Sequence, residues 1–189
     1  MSSQAHIGPN AIIQVLAALD QVPGRRARVW RASKLETPAP TNMVPEAWFV
    51  RLVAAVRATL PAHEAEAVLA DGGRRTAAYV AAHRIPAPLR FLLARLPARW
   101  GVALLLRAFD RHAWTFAGAG RYRGRGNTIT LADAPTCRGG PPASRRRGGY
   151  YAAAFEGLLR LAAPSASVRE ITCQACGDDR CRFAITFET

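Results

Sequence analysis

The sequence predicts an α+β fold, with N-terminal helices followed by an antiparallel sheet built from two hairpins and a helix between the hairpins. Three observations carry the prediction. Apolar residues recur at helical spacing as far as about Phe109, and a period-two alternation follows from His112. The chain then closes on two alternating segments, Ser167 to Cys173 and Arg180 to Phe187, around a tight cysteine-bearing turn. With 189 residues, half of them apolar, the chain can form one domain with a sizeable core. That domain is read as residues 1–189, with 1–60 as a helical extension and 61–189 as the core.

The first helix is Pro9 to Leu19, with proline in its first turn and Ile12, Ile13, Val15, Leu16 and Leu19 apolar. Val22 to Asn42 has little periodicity and reads as a connection. Pro45 to Leu60 is the second helix, its stripe formed by Trp48, Phe49, Leu52, Val53 and Val56. Asp71-Gly72-Gly73 divides the next stretch into helices Ala62 to Ala70 and Thr76 to His83. Ile85-Pro86-Ala87-Pro88 leads into Leu89 to Leu96, and Pro97 opens a helix that ends near Phe109.

His112, Trp114 and Phe116 alternate with Ala113, Thr115 and Ala117, which predicts a half-buried strand. Asn127 to Leu131 is its partner, reached through the glycine-rich Gly118 to Gly126. Gly139 to Gly149 reads as a loop, and Tyr151, Phe155, Leu158, Leu159 and Ala162 as a further helix. Cys181, Phe183, Ile185 and Phe187 share one face of the last strand.

The formal net charge is +13, and Lys34 is the sole lysine. Arginine spread along the whole chain beside abundant Ala, Gly and Pro fits a compositional bias better than a phosphate footprint. No nucleic-acid partner is therefore expected, whereas an acidic protein or a carboxylate-bearing ligand suits the charge. Met1 to His6 has neither a basic stretch nor a long apolar run after it, which argues against a secretory leader. Leu89 to Phe109 is broken by Arg90, Arg95, Pro97, Arg99 and Arg107, so no transmembrane segment is expected and the chain is placed in the cytoplasm.

Cys173, Cys176 and Cys181 cluster about one turn, and Cys137 lies upstream near the end of the second strand. Cytosolic thiols so spaced favour a structural zinc ion over an empty reduced cluster. An iron–sulfur centre is disfavoured because the spacing matches neither common ferredoxin run. On a regular strand Glu170 and Cys173 point to opposite faces, so Glu170 joins such a site only through a bulge, and Cys176 is its rival.

Gly118-Ala119-Gly120 with Gly124 is followed by a strand rather than the helix that a dinucleotide loop requires. No phosphate loop, activated nucleophile or pair of catalytic carboxylates is visible. His112, in line with Trp114 and Phe116, is either a hydrogen-bonded core histidine or an axial ligand to the magnesium of a pigment. His83 is a second candidate.

Val168-Arg169-Glu170, Cys173, Gly177-Asp178 and Cys181-Arg182-Phe183 together resemble the signature of the 4-vinyl-reductase domain family. Ile7-Gly8-Pro9-Asn10-Ala11-Ile12, Ala82-His83-Arg84-Ile85-Pro86 and Arg111-His112-Ala113-Trp114-Thr115-Phe116-Ala117-Gly118 resemble its bacteriochlorophyll-biosynthesis members, labelled divinyl (proto)chlorophyllide vinyl reductases. The resemblance implies a ligand-binding α+β fold related to TRAPP subunits, often a homodimer. It also implies a zinc site that would fall here on Cys137, Glu170, Cys173 and Cys181, with Cys176 an additional thiol.

A Mg-tetrapyrrole is the implied ligand, with Arg84, Arg111 and Arg121 as candidates for its carboxylates because they adjoin these motifs. Enzymes of the pathway, such as magnesium chelatase, are the implied partners, at or near photosynthetic membranes. Vinyl reduction needs a hydride or electron source, and no site for one is visible in the sequence. A pigment carrier is therefore expected ahead of a reductase, with a pigment-responsive sensor as the third reading.

Overall fold

The computed structural model describes residues 5–36, 40–140 and 142–188. Met1 to Gln4, Thr37 to Ala39 of the expected connection, and Pro141 of the expected loop lie outside the described residues. The order begins β1 (His6–Ile7), α1 (Asn10–Leu19), α2 (Arg25–Ser33), β2 (Val44–Pro45), α3 (Glu46–Thr59), α4 (Ala62–His83) and α5 (Ala87–Leu93). It continues α6 (Ala98–Arg111), α7 (Trp114–Ala117), β3 (Arg121–Arg125), β4 (Thr128–Ala132), α8 (Gly149–Leu159), β5 (Ser167–Thr172) and β6 (Cys181–Thr186). This is an α+β architecture with two hairpins separated by a helix.

Helix α4 runs unbroken through Gly72 and Gly73. Glycine in a helix interior costs about 1 kcal/mol relative to alanine, and close packing explains its retention. A Cβ on Gly72 would meet the Val15 side chain at 2.7 Å, and one on Gly73 would meet the Tyr150 carbonyl oxygen at 2.1 Å. The two glycines thus seat α4 against α1 on one side and α8 on the other.

Helix α2 occupies part of the segment expected to be a connection. Only Val29 and Ser33 are buried in it, and its four arginines face outward or sideways, so no apolar period marks it.

The expected strand over His112–Gly118 is absent. The His112 N–H donates back to the Ala108 carbonyl at 3.1 Å, continuing α6 into a turn, and α7 adds a single helical turn before Gly118 reverses the chain at φ 59°. The i, i+2 spacing over seven residues fits a helical turn as well as a strand. Trp114 lies out in solvent and Phe116 packs inward, so the aromatic face expected along His112, Trp114 and Phe116 does not form.

The first strand of the hairpin is instead β3, joined to β4 through Gly126 and Asn127, with Gly126 at φ 57°. The four-stranded sheet has the order β3-β4-β6-β5, antiparallel throughout. Leu131 stands opposite Cys181 and Ile129 opposite Phe183, so β4 and β6 join the hairpins.

Phe155 of α8 fills the space over the sheet, with ring centres 5.8 Å from Phe183, 5.9 Å from Tyr122 and 5.7 Å from Phe109. Residues from Ile7 to Ile185 contribute to this single core.

Candidate functional site

Cys137 follows β4 on a short 3₁₀ turn (Pro135–Cys137), Cys173 ends β5, and Cys181 begins β6. The β4–β6 pairing therefore delivers three thiols to one point. Cys137 Sγ lies 3.7 Å from Cys173 Sγ and 3.4 Å from Cys181 Sγ, and the three sulfurs fall within 4.8 Å of one another. A tetrahedral zinc with bonds of about 2.3 Å needs its sulfurs about 3.8 Å apart. The spacing fits.

The pairing of β5 with β6 shifts register between Glu170 and Thr172, the irregularity that turns Glu170 toward Cys173's side. Its carboxylate is buried. Oε2 accepts the Gly148 N–H at 2.8 Å, while Oε1 has no partner among the described residues. An orphaned buried carboxylate oxygen beside three thiols completes a four-ligand set. Cys176 is exposed on a 3₁₀ turn and its sulfur lies outside the cluster.

Burial and the neighbouring Cys173 push the Glu170 carboxyl up to about 8. Hydrogen bonds from the Cys137 and Cys181 thiols hold the Cys173 thiol well below the ordinary range. Bonds to Cys137 and Cys173 raise the Cys181 thiol far above it. The cluster thus carries one negative charge readily and resists a second. A divalent cation reverses that resistance by deprotonating the thiols it binds.

Backbone amides already point at the sulfurs, Arg147 N–H to Cys173 at 3.3 Å and Gln174 N–H to Cys181 at 3.4 Å. Arg57 ties the two approaching segments together. It donates to the carbonyls of Thr136 and Arg147 and pairs with Glu66 at 2.7 Å. Neither Arg57 nor Gly148 carries a local sequence signal, because each acts on residues remote from it along the chain.

Of the residues expected to hold a ligand, Arg111 lines a cleft of about 560 Å3 between α6 and β3, together with Arg107, Asp110, Arg123, Gly124 and Arg125. Arg121 lines a neighbouring cleft of about 370 Å3, which shares Arg123. His112 is exposed and follows Arg111 directly. His83 stacks on Tyr79 at 4.5 Å with Nδ1 3.1 Å from the Tyr79 carbonyl, and Arg84 is exposed after α4. Neither of these lines the cleft. Phe116 packs edge-on to Tyr122 at 5.5 Å.

The cleft conceals one further polar group. The Tyr122 hydroxyl is buried without a partner among the described residues, and a Cβ on the cleft-lining Gly124 would meet it at 2.3 Å. Burial raises the phenol above its ordinary range, with the Asp110 charge adding to the effect. The glycine-rich run concealed Tyr122, Arg123 and Arg125 from the sequence reading by masking strand β3.

Residues 127–187 match the family model of the 4-vinyl-reductase domain, a stretch that holds β4, α8, β5, β6 and all three clustered thiols. The chain is 37% identical over 186 residues to the bacteriochlorophyll synthase 23 kDa chain of Cereibacter sphaeroides, covering 95% of this chain and 89% of that one. It is 35% identical over 189 residues to the bacteriochlorophyll synthase 23 kDa chain of Rhodobacter capsulatus, covering 96% of this chain and 87% of that one. Among solved structures, an H-NOX protein from a study of heme distortion shares the fold, with a TM-score of 0.57 at 13% identity. That match covers 97% of this chain and 96% of the other. The chain belongs to the family of the bacteriochlorophyll synthase 23 kDa chains, and its place is in bacteriochlorophyll biosynthesis.

Proposed function

We propose that the protein binds a carboxylate-bearing Mg-tetrapyrrole intermediate of bacteriochlorophyll synthesis and holds it for a pathway enzyme such as magnesium chelatase. The observation that carries this reading is the α6–β3 cleft. Arg107, Arg111, Arg123 and Arg125 surround it, and the unpartnered Tyr122 hydroxyl lies behind Gly124. Guanidinium groups match carboxylates with paired, charge-assisted hydrogen bonds. His112, exposed beside Arg111, is the candidate ligand to magnesium. A fold shared with a heme-associated structure supports the reading by analogy only.

Cys137, Cys173, Cys181 and Glu170 would hold a structural zinc. Such an ion ties the end of β4 to the β5–β6 hairpin and so fixes the sheet from which β3 presents its arginines.

The test uses purified protein, a free-acid protochlorophyllide-type pigment and its methyl ester. The free acid should bind with a shifted absorption band, and Arg107→Gln with Arg123→Gln should weaken it by about 10–100-fold while changing ester binding little. With NADPH present, the 8-vinyl group should stay intact. Absence of binding, or equal losses for acid and ester, would refute the cleft. Conversion to monovinyl pigment over many turnovers would establish a reductase instead.

A further inference from the structure

Eight large apolar side chains are left in solvent among the described residues, and five fall on α5 and α6. They are Leu89, Phe91, Leu92, Trp100 and Leu104, with Phe91 and Trp100 exposed by 60% and 61%. The hairpin does not need these side chains to fold. Its inner face already buries Leu93, Val102, Leu105, Leu106 and Phe109, and Gly101 lets α6 approach Ala162 and the Leu93 carbonyl.

Charge accompanies the apolar face. Arg95, Arg99, Arg107 and Arg111 are exposed along it, against the single acid Asp110, while Arg90 turns inward to the carbonyls of Ala81 and Ala82. The Arg95 guanidinium lies 4.1 Å over the Phe91 ring and that of Arg99 lies 5.8 Å over Trp100. Each exposed ring therefore has a cation beside it.

We infer that α5 and α6 dock the protein on an anionic membrane surface. Phe91, Leu92 and Trp100 enter the boundary between headgroups and acyl chains, and the arginines meet lipid phosphates. A second copy of the chain would bring like charges together on this face, whereas an anionic bilayer complements both the rings and the guanidiniums. No helix of the described residues is long and apolar enough to cross a membrane, so the contact is peripheral. Arg107 lies about 11 Å along α6 from Trp100, so docking would bring the rim of the arginine-lined cleft to the lipid surface. The docking itself does not depend on the pigment reading.

The experiment sediments the full chain with pigment-free vesicles of phosphatidylglycerol and phosphatidylcholine, and separately with phosphatidylcholine alone. Binding to the mixed vesicles should exceed binding to the neutral ones at least about tenfold. Arg95→Gln with Arg99→Gln should lower it roughly thirtyfold, about fivefold for each charge removed. Phe91→Ser with Trp100→Ser should abolish it at unchanged circular dichroism, and brominated lipid should quench tryptophan emission in wild type alone. Absence of vesicle binding, binding that survives the serine variant, or a dimer in solution that the serine variant dissociates would each overturn the inference.

Discussion

The Gly148 N–H donates to Glu170 Oε2 at 2.8 Å, and a Cβ at position 148 would stand 2.5 Å from the Glu170 carboxyl carbon. Only glycine lets the backbone approach that closely, so Gly148 decides where the free oxygen of Glu170 points. Gly148→Ala is expected to turn the carboxylate aside and weaken zinc by about 10–100-fold, the usual effect of losing a ligand's supporting contact. A chelator competition titration checks this. Unchanged affinity would remove Glu170 from the ligand set.

Fresh, untagged protein should carry about one zinc per chain. Cys173→Ser and Cys181→Ser should each lose the metal and lower Tm by about 5–10 °C, as a loss of about 2–3 kcal/mol does at this size. Cys176→Ser should change neither, since its thiol lies outside the cluster. Metal analysis and thermal melts of the three variants separate these outcomes.

Packing at Gly73 yields a stability prediction independent of any ligand. A methyl group there would meet the Tyr150 carbonyl oxygen at 2.1 Å, and backbone cannot yield as a side-chain tip does. Gly73→Ala should destabilise by about 1–3 kcal/mol despite alanine's higher helix propensity. Urea denaturation checks the sign, and a stabilised variant would mean that α4 and α8 can separate.

Tyr150 is buried and hydrogen-bonded to Thr76 at 3.0 Å, and burial pushes its phenol up to about 12. Between an ordinary value of about 10 and that raised value, the folded chain keeps a proton that the unfolded chain releases. Stability should therefore be intact below pH of about 10 and fall as pH rises toward 12. Tyr122 and Tyr151 shift in the same direction. Urea midpoints across this range should decline, less steeply in Tyr150→Phe. Phenolate absorbance should appear with unfolding and not before it.

The C-terminal hairpin was legible because Cys181, Phe183 and Ile185 alternate strictly and a turn separates them from β5. The thiol cluster was legible for the same reason, since strand pairing fixes which residues meet. Around Gly118 to Gly126 legibility failed, because strand β3 offers only Tyr122 to the core and reads as a polar glycine loop. Gly72 and Gly73 misled in the opposite direction. Glycine breaks helices by default, and only the opposing Val15 and Tyr150 reveal that here it serves close approach.

Strand β3 stands at the edge of the sheet, with Arg121, Arg123 and Arg125 exposed on alternate positions. An unpaired edge is a template for another chain's strand, and a row of like charges is a common guard against such recruitment. Two copies pairing antiparallel through β3 would set arginine against arginine. A carboxylate ligand seated on Arg123 and Arg125 cancels part of that guard. The loaded protein should therefore self-associate more readily than the ligand-free protein, and replacing the β3 arginines by threonine should make the chain prone to aggregate on its own.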